Sequence, residues 1–249
     1  VYRYDLMGCC IEEKRYLEEQ SEVSAEGRVN VIHYTYDQAS RLTSVTDSTG
    51  AHMEYAYDGR NLRTMERYKI AEGIYQERHY TYSASGRLIK IMESADEKGC
   101  GRKYVPTQIS YDGNGNITRI QTPSGNEILR EYDQSNHLLS ETHKEKGGSI
   151  QNRITFTYDL NGNLTQRMES NGFYTRYQYD IQGRQIMTED ADGAITWNDY
   201  DRNGNLVRQI MPAEYALYGD QAAGYRFDYD MSGRNTAVIS PDGSRLRLT

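Results

Sequence analysis

Ten tyrosines open the same short signature along this chain, and their repetition constrains the fold more than any other feature. They are Tyr4, Tyr36, Tyr57, Tyr82, Tyr111, Tyr132, Tyr158, Tyr179, Tyr200 and Tyr229. Nine are followed directly by Asp, Ser83 being the exception, and seven have Tyr or Phe two residues earlier. Alternate residues of a strand project from one face, so these paired rings predict strands whose aromatics pack between neighbours. Four residues after the tyrosine stands Gly in seven repeats, Asn61 and Asn136 in two, and Ser40 in one. Asp, two variable residues and Gly spell a type I turn, in which the Asp side chain binds backbone amides and the left-handed residue closes the hairpin. Asn tolerates that conformation next best.

An apolar residue then opens the return strand six places after the tyrosine at Leu42, Leu88, Ile117, Leu138, Leu164 and Leu206. Leu62, at the fifth place after Tyr57, implies a turn one residue tighter there. Four intervals between repeat tyrosines are 21 residues, and in each a second Gly lies fourteen residues on, at Gly50, Gly125, Gly172 and Gly193; Gly243 keeps that place in the last repeat. Each repeat therefore reads strand, turn, strand, turn. Between Tyr57 and Tyr82 the interval is 25, with Gly73 sixteen residues after one tyrosine and nine before the other. Two residues added to each arm would keep every side chain on its face. Intervals of 26, 29, 29 and 32 predict longer arms or tips, such as the polar stretch 93–102. The Glu-rich segment 11–24 fits a short helix as well as a strand. No linker or domain boundary is evident. Residues 1–249 read as a single all-β array of about ten hairpins, one long antiparallel sheet twisted and curled by the handedness of its strands.

Composition agrees with a thin sheet. Tyr supplies 23 residues against 3 Phe and 1 Trp, and a tyrosine can bury its ring while its hydroxyl finds water or a partner. A net charge of −7 argues against a nucleic-acid-binding surface, which needs a basic stripe to displace counterions. No apolar run approaches the roughly 20 residues that span a bilayer as a helix, and no secretion signal is recognisable in the sequence. Cys9, Cys10 and Cys100 are too few and too oddly placed for a disulfide framework and suit a cytosolic or an exported protein equally.

Units such as Tyr158-Asp159-Leu160-Asn161-Gly162-Asn163-Leu164 and Tyr229-Asp230-Met231-Ser232-Gly233-Arg234 resemble the Rhs or YD repeats of bacterial wall-associated and contact-dependent toxin proteins, insecticidal toxin-complex subunits and teneurins. The resemblance covers essentially the whole chain. It implies a β-sheet spiralling into a hollow shell, secreted or at the cell surface, that in bacteria encloses a C-terminal toxin segment of the same polypeptide. The plug-like core segment that accompanies such repeats, with its Asp-Pro and Gly-Gly signatures, is missing, so the resemblance also implies an internal fragment of a larger protein.

Candidate chemistry is sparse. The oxygens of Asp112, Asn114 and Asn116, of Asp159, Asn161 and Asn163, and of Asp201, Asn203 and Asn205 are spaced like the start of a calcium loop. A calcium loop also needs Gly at its sixth place and Glu at its twelfth, where this chain has Ile117, Leu164 and Leu206 at the sixth and Pro123 at the twelfth after Asp112. Turn capping explains the same residues. His33, His52, His79, His137 and His143 have no metal-ligand spacing, and no nucleophile elbow or phosphate loop occurs. The expectation is a scaffold with no catalytic, cofactor or metal residues. The rival is a module whose aromatic face binds a glycan or receptor, although the cages of such modules are Trp-rich and this chain has Trp197 alone. An enzyme would need a convergent polar pocket that no spacing here predicts.

Overall fold

The repeat tyrosine is the last residue of its strand in all ten repeats of the computed structural model, which describes residues 1–16, 29–95 and 103–248. Tyr-Asp thus marks strand end and turn start, as the sequence predicts. The chain divides into two compact units, residues 1–110 with 119–125, and residues 111–118 with 126 onward.

The first unit holds β1 (Tyr2–Tyr4), β2 (Cys10–Tyr16), β3 (Val29–Tyr36), β4 (Leu42–Asp47), β5 (His52–Tyr57), β6 (Arg63–Ala71), β7 (Ile74–Tyr82), β8 (Leu88–Ala95) and β9 (Lys103–Tyr111). Each pairs antiparallel with the next. Strand β10 (Ile117–Gln121) falls at the division. The second unit continues the meander through β11 (Glu127–Tyr132), β12 (Leu138–Lys144), β13 (Ile150–Tyr158), β14 (Leu164–Glu169), β15 (Tyr174–Tyr179), β16 (Gln185–Glu189), β17 (Ile195–Tyr200), β18 (Leu206–Ile210), β19 (Tyr225–Tyr229), β20 (Asn235–Ile239) and β21 (Arg245–Arg247). Its successive pairings are antiparallel as well. The fold is all-β.

One expectation needs correction. The Tyr57 turn is not tighter: Tyr57 pairs with Arg63, Asp58 N–H donates to the Leu62 carbonyl at 2.9 Å, and Asn61 sits at φ 66°, the geometry of every other repeat. The leucine had simply taken the fifth place and arginine the sixth. The 29-residue interval after Tyr200 has a longer tip, which builds the one α-helix of the described residues, α1 (Pro212–Tyr218), and a 3-10 turn (Gly219–Gln221). Pro212 at the first turn and Gly219 at the end are the signals for it. Within segment 11–24, residues up to Tyr16 are strand, and the remainder lies outside the described residues, as do most of 93–102 and Cys100. The 25-residue interval does lengthen its arms: β6 and β7 have 9 residues each, with a register slip between Lys69 and Ala71.

Little of this sheet is deeply buried. Among the described residues the buried apolar side chains are Ile32 in the first unit and Met187, Ile210, Ala222 and Ala237 in the second. Hydrophobic burial, the usual dominant stabiliser, is therefore thin along the array, and the polar seam described next carries an unusual share of the load.

Candidate functional site: the tyrosine-aspartate seam

Each repeat turn has one backbone geometry. Asp180 N–H donates to the Arg184 carbonyl at 2.9 Å and Gly183 N–H to the Asp180 carbonyl at 3.0 Å, and the same two bonds close every other repeat turn, including the one that begins with Ser83. Gly183 has φ 77°; the non-glycine residues of positive φ among the described residues are Ser40, Asn61 and Asn136, the three that replace Gly at this place. Such a turn with its bulge matches strand twist, and the register shifts just before the tyrosine, as between Gln178 and Tyr179.

The aspartate caps the turn from within. Asp180 Oδ1 accepts the amides of Gln182 at 2.9 Å and Arg184 at 3.0 Å, and Oδ2 accepts Nε of Arg184 at 2.6 Å. Burial pushes the Asp180 carboxyl up, but the backbone and side-chain donors of Arg184 outweigh it and hold it below the ordinary range. At Asp37 the Arg41 amide is the leading cause of the same depression, and at Asp159 and Asp201 it is the side-chain amides of Asn163 and Asn205. The residue five places after the tyrosine thus returns to the aspartate as Arg41, Asn116, His137, Asn163, Arg184, Asn205 or Arg234. Where Asp-x-Asn-x-Asn is spaced like a calcium loop, the Asp carboxylates are engaged in this capping, and Asn116, Asn163 and Asn205 turn their amide nitrogens toward them.

The tyrosine hydroxyl ties one repeat to the one before it. Tyr36, Tyr57, Tyr82, Tyr132, Tyr158, Tyr179, Tyr200 and Tyr229 donate to the carbonyls of Cys10, Leu42, Arg63, Ile117, Leu138, Leu164, Gln185 and Leu206 at 2.7 to 3.1 Å. Each acceptor stands six places after the preceding repeat tyrosine, at the first residue of the return strand. A bond of this kind contributes about 0.5–1.5 kcal/mol, and its loss strands a carbonyl. Burial raises the hydroxyl pKa of Tyr36, Tyr158 and Tyr179, as expected of phenols kept neutral to donate.

Among the described residues the Tyr2 and Tyr4 rings lie 6.5 Å apart and tilted by 36°, whereas at Tyr57, Tyr158 and Tyr200 the ring's cover is not another tyrosine. The fifth-place side chain of one repeat covers the next tyrosine instead: the Arg41 guanidinium lies 5.0 Å from the Tyr57 ring, Arg184 4.9 Å from Tyr200, and His137 stacks on Tyr158 at 4.8 Å. The same arginines reach the next turn's backbone, Arg41 to the Asp58 carbonyl at 2.8 Å and Arg184 to the Asp201 carbonyl at 2.6 Å. Where Leu62 occupies the fifth place, Arg60 substitutes, binding Asp58 Oδ2 at 3.0 Å and the Ser83 carbonyl at 2.8 Å. Sequence reasoning missed this role, although the recurrence of Arg, Asn and His at one offset was there to be read.

The other histidines sit on strands beside carboxylates. His33 lies 3.7 Å from Glu12, His52 3.0 Å from Glu54, His79 3.5 Å from Glu77 and His143 2.7 Å from Glu141. Cys9 and Cys10 are free thiols, half-buried, and the Cys10 carbonyl serves the Tyr36 hydroxyl.

Hairpins stitched to their predecessors by a repeating side chain define a class of protein, the β-scaffold assembled from shell-type repeats. The chain belongs to the Teneurin YD-shell family, whose model matches residues 60–205. Toxin protein Tse5 of Pseudomonas aeruginosa is 31% identical over 96% of this chain and 20% of its own length. The tRNA3(Ser)-specific nuclease WapA of Bacillus spizizenii is 26% identical over 85% of this chain and 8% of its own length. The crystal structure of TcdB2-TccC3 without its hypervariable C-terminal region matches 95% of this chain and 16% of that chain, with a TM-score of 0.51 at 13% identity, a likeness of fold. The chain spans a fifth or less of the length of these relatives.

Proposed function

We propose that this shell-type scaffold is part of the wall of a hollow enclosure, secreted or at the cell surface, that holds or presents a toxin or other polypeptide carried on the same protein, residues 1–249 forming one continuous repeat array. The observation that carries the reading is the seam. Eight tyrosine hydroxyls bind consecutive hairpins edge to edge where little core exists to do so. A wall needs that property, because it must hold its form without being filled. Two relatives bear the names of a toxin and a nuclease, which supports a polypeptide cargo. The segment itself is non-catalytic in this reading, its aspartates and tyrosines being consumed by the turns. A glycan-binding face is less favoured because seam tyrosines already bind carbonyls and three are covered by Arg41, Arg184 or His137.

Limited proteolysis of the full-length protein tests it. Polypeptide lying beyond the array should resist a soluble protease in the intact protein and become cleavable when Tyr158, Tyr179 and Tyr200 are all changed to Phe. Cleavage at the same rate in both proteins would refute enclosure.

A further inference from the structure

The α1 insertion breaks the repeat, and it is rigidly built. Arg208 donates to the Ala222 carbonyl at 2.9 Å and the Asp220 carbonyl at 3.0 Å, tying the segment to β18. Gly224, at φ 62°, approaches so closely that a Cβ there would come within 2.7 Å of the Gln209 carbonyl oxygen. Tyr215 of α1 stacks on Trp197 of β17, with ring centroids 6.2 Å apart and planes at 24°. Trp197 shares its sheet face with its cross-strand partners Met187 and Ile210, both buried. The helix stands where the sheet turns apolar.

Beside that stack, between α1 and the turn formed by residues 190–193, runs an open groove of about 600 Å³ lined by Ile195, Pro212, Ala213, Tyr215 and Ala216. Asp190 is committed to its own turn, accepting the amides of Asp192 at 3.0 Å and Ala194 at 2.9 Å. Asp192, on the groove rim, is exposed, and its carboxylate has no hydrogen bond or ion pair among the described residues. An apolar trough with one uncommitted anion at its edge has a definite complement. We propose that this groove binds a short extended peptide that presents an aliphatic side chain next to a lysine or arginine.

The aliphatic group fills the space between Tyr215 and Ile195, and the cation meets Asp192. The volume suits two or three side chains, and pockets of this size take their affinity from apolar lining and their orientation from a few polar groups. A fatty acid would bring its carboxylate against Asp192, and a polynucleotide would meet a chain of net charge −7. Because both walls are held in place before binding, little ordering opposes it. This site goes beyond the scaffold reading, and neither depends on the other.

Trp197, the one tryptophan of the chain, lies directly under Tyr215 and reports on the groove through its fluorescence. The 249-residue chain would be titrated with a blocked hexapeptide containing leucine followed by lysine, and with two counterparts, one carrying glutamate for the lysine and one serine for the leucine. A saturable emission change with Kd between about 10 μM and 1 mM is expected for the first peptide, weakened at least tenfold for each counterpart. Asp192→Lys should reverse the charge preference, and Ala216→Phe, an exposed position, should abolish binding while circular dichroism stays unchanged. Absence of saturation with the leucine-lysine peptide overturns the proposal, as does equal affinity for all three peptides or unaltered binding by Ala216→Phe. None of these results bears on whether full-length protein shields its cargo from protease.

Discussion

The two ends of a hairpin can use the same turn for different purposes. At the opposite end from the tyrosines, Asp190 to Gly193 closes as Asp180 to Gly183 does, with Asp190 N–H donating to the Ala194 carbonyl at 3.1 Å and Gly193 N–H to the Asp190 carbonyl at 3.0 Å. The aspartate caps it in the same way. The tyrosine end adds the hydroxyl bond to the preceding repeat and, in several repeats, a fifth-place side chain reaching the next; at the opposite end Asn126 makes a comparable reach, its Oδ1 accepting the Lys146 amide at 3.1 Å. The consequence is visible in length. Every tyrosine turn keeps one geometry, whereas the opposite end accommodates the two-residue Glu72-Gly73 tip and the whole α1 insertion. A turn bound by a tyrosine hydroxyl and a fifth-place side chain to both neighbours cannot lengthen without breaking bonds in three repeats; the opposite turns, tied to a neighbour by contacts such as Ser48 to Asn30 Oδ1 at 2.8 Å and Ser170 to Asn152 Oδ1 at 2.8 Å, have no hydroxyl link of that kind to break.

The sharpest way to break that contrast is insertion. One glycine added between Ile181 and Gln182 should lower unfolding free energy by roughly 2–4 kcal/mol, since the cap, the hairpin closure and the links to both neighbouring repeats fail together. The same addition between Ala191 and Asp192 should cost about 1 kcal/mol or less, as loop length alone is cheap. Urea denaturation of the two proteins measures the difference, and equal losses would show that the seam has no special status.

Close packing at the seam gives the next effect. Gly162 has φ 84°, and a Cβ there would lie 2.9 Å from Nε2 of His137 in the preceding turn. Gly162→Ala should therefore cost about 1–2 kcal/mol from left-handed backbone alone, with a further loss from the displaced imidazole. At Gly193, also of positive φ but with nothing near, the backbone cost should stand alone. Removing a single hydroxyl is milder. Tyr179→Phe frees the Leu164 carbonyl and should cost about 0.5–1.5 kcal/mol, read as a lower denaturation midpoint at unchanged slope. Smaller still, Arg184→Leu makes that turn resemble the Tyr57 turn but without an arginine at the third place; the expected loss is about 0.5–1 kcal/mol. Gln182→Arg in the same protein should recover part of it, as Arg60 does beside Leu62.

Acid should attack both ends alike. The carboxyls of Asp37, Asp58, Asp159, Asp180, Asp201 and Asp230 at the seam, and Asp47 and Asp242 opposite, are all depressed by the amides and side chains they accept. A depressed folded-state pKa contributes stability that is present above the unfolded value, about 3.9, and is lost as pH falls through the folded value. Thermal melts should hold level near neutrality and decline below about pH 4. Asp180→Asn should lower the melting temperature at pH 7 and flatten that acid decline, and a decline as steep as the wild type's would count against the capping account.

Tyrosine, aspartate and glycine at fixed offsets were enough to place the repeat turns, because a turn is decided within five residues by chemistry that needs no distant partner. The period-two aromatics likewise sufficed for strands and for an all-β array. Local pattern misled where its units were ambiguous: Leu62 looked like the opening of a strand because leucine does so elsewhere, yet hydrogen bonding places Arg63 there. The acceptor of each tyrosine hydroxyl, the arginine that covers the next ring and the face of β17 on which α1 settles all lie between repeats 15 to 26 residues apart in sequence. Those contacts exist only once neighbouring hairpins are in register, since a hydroxyl selects a carbonyl by position in space, and composition carries no record of that position.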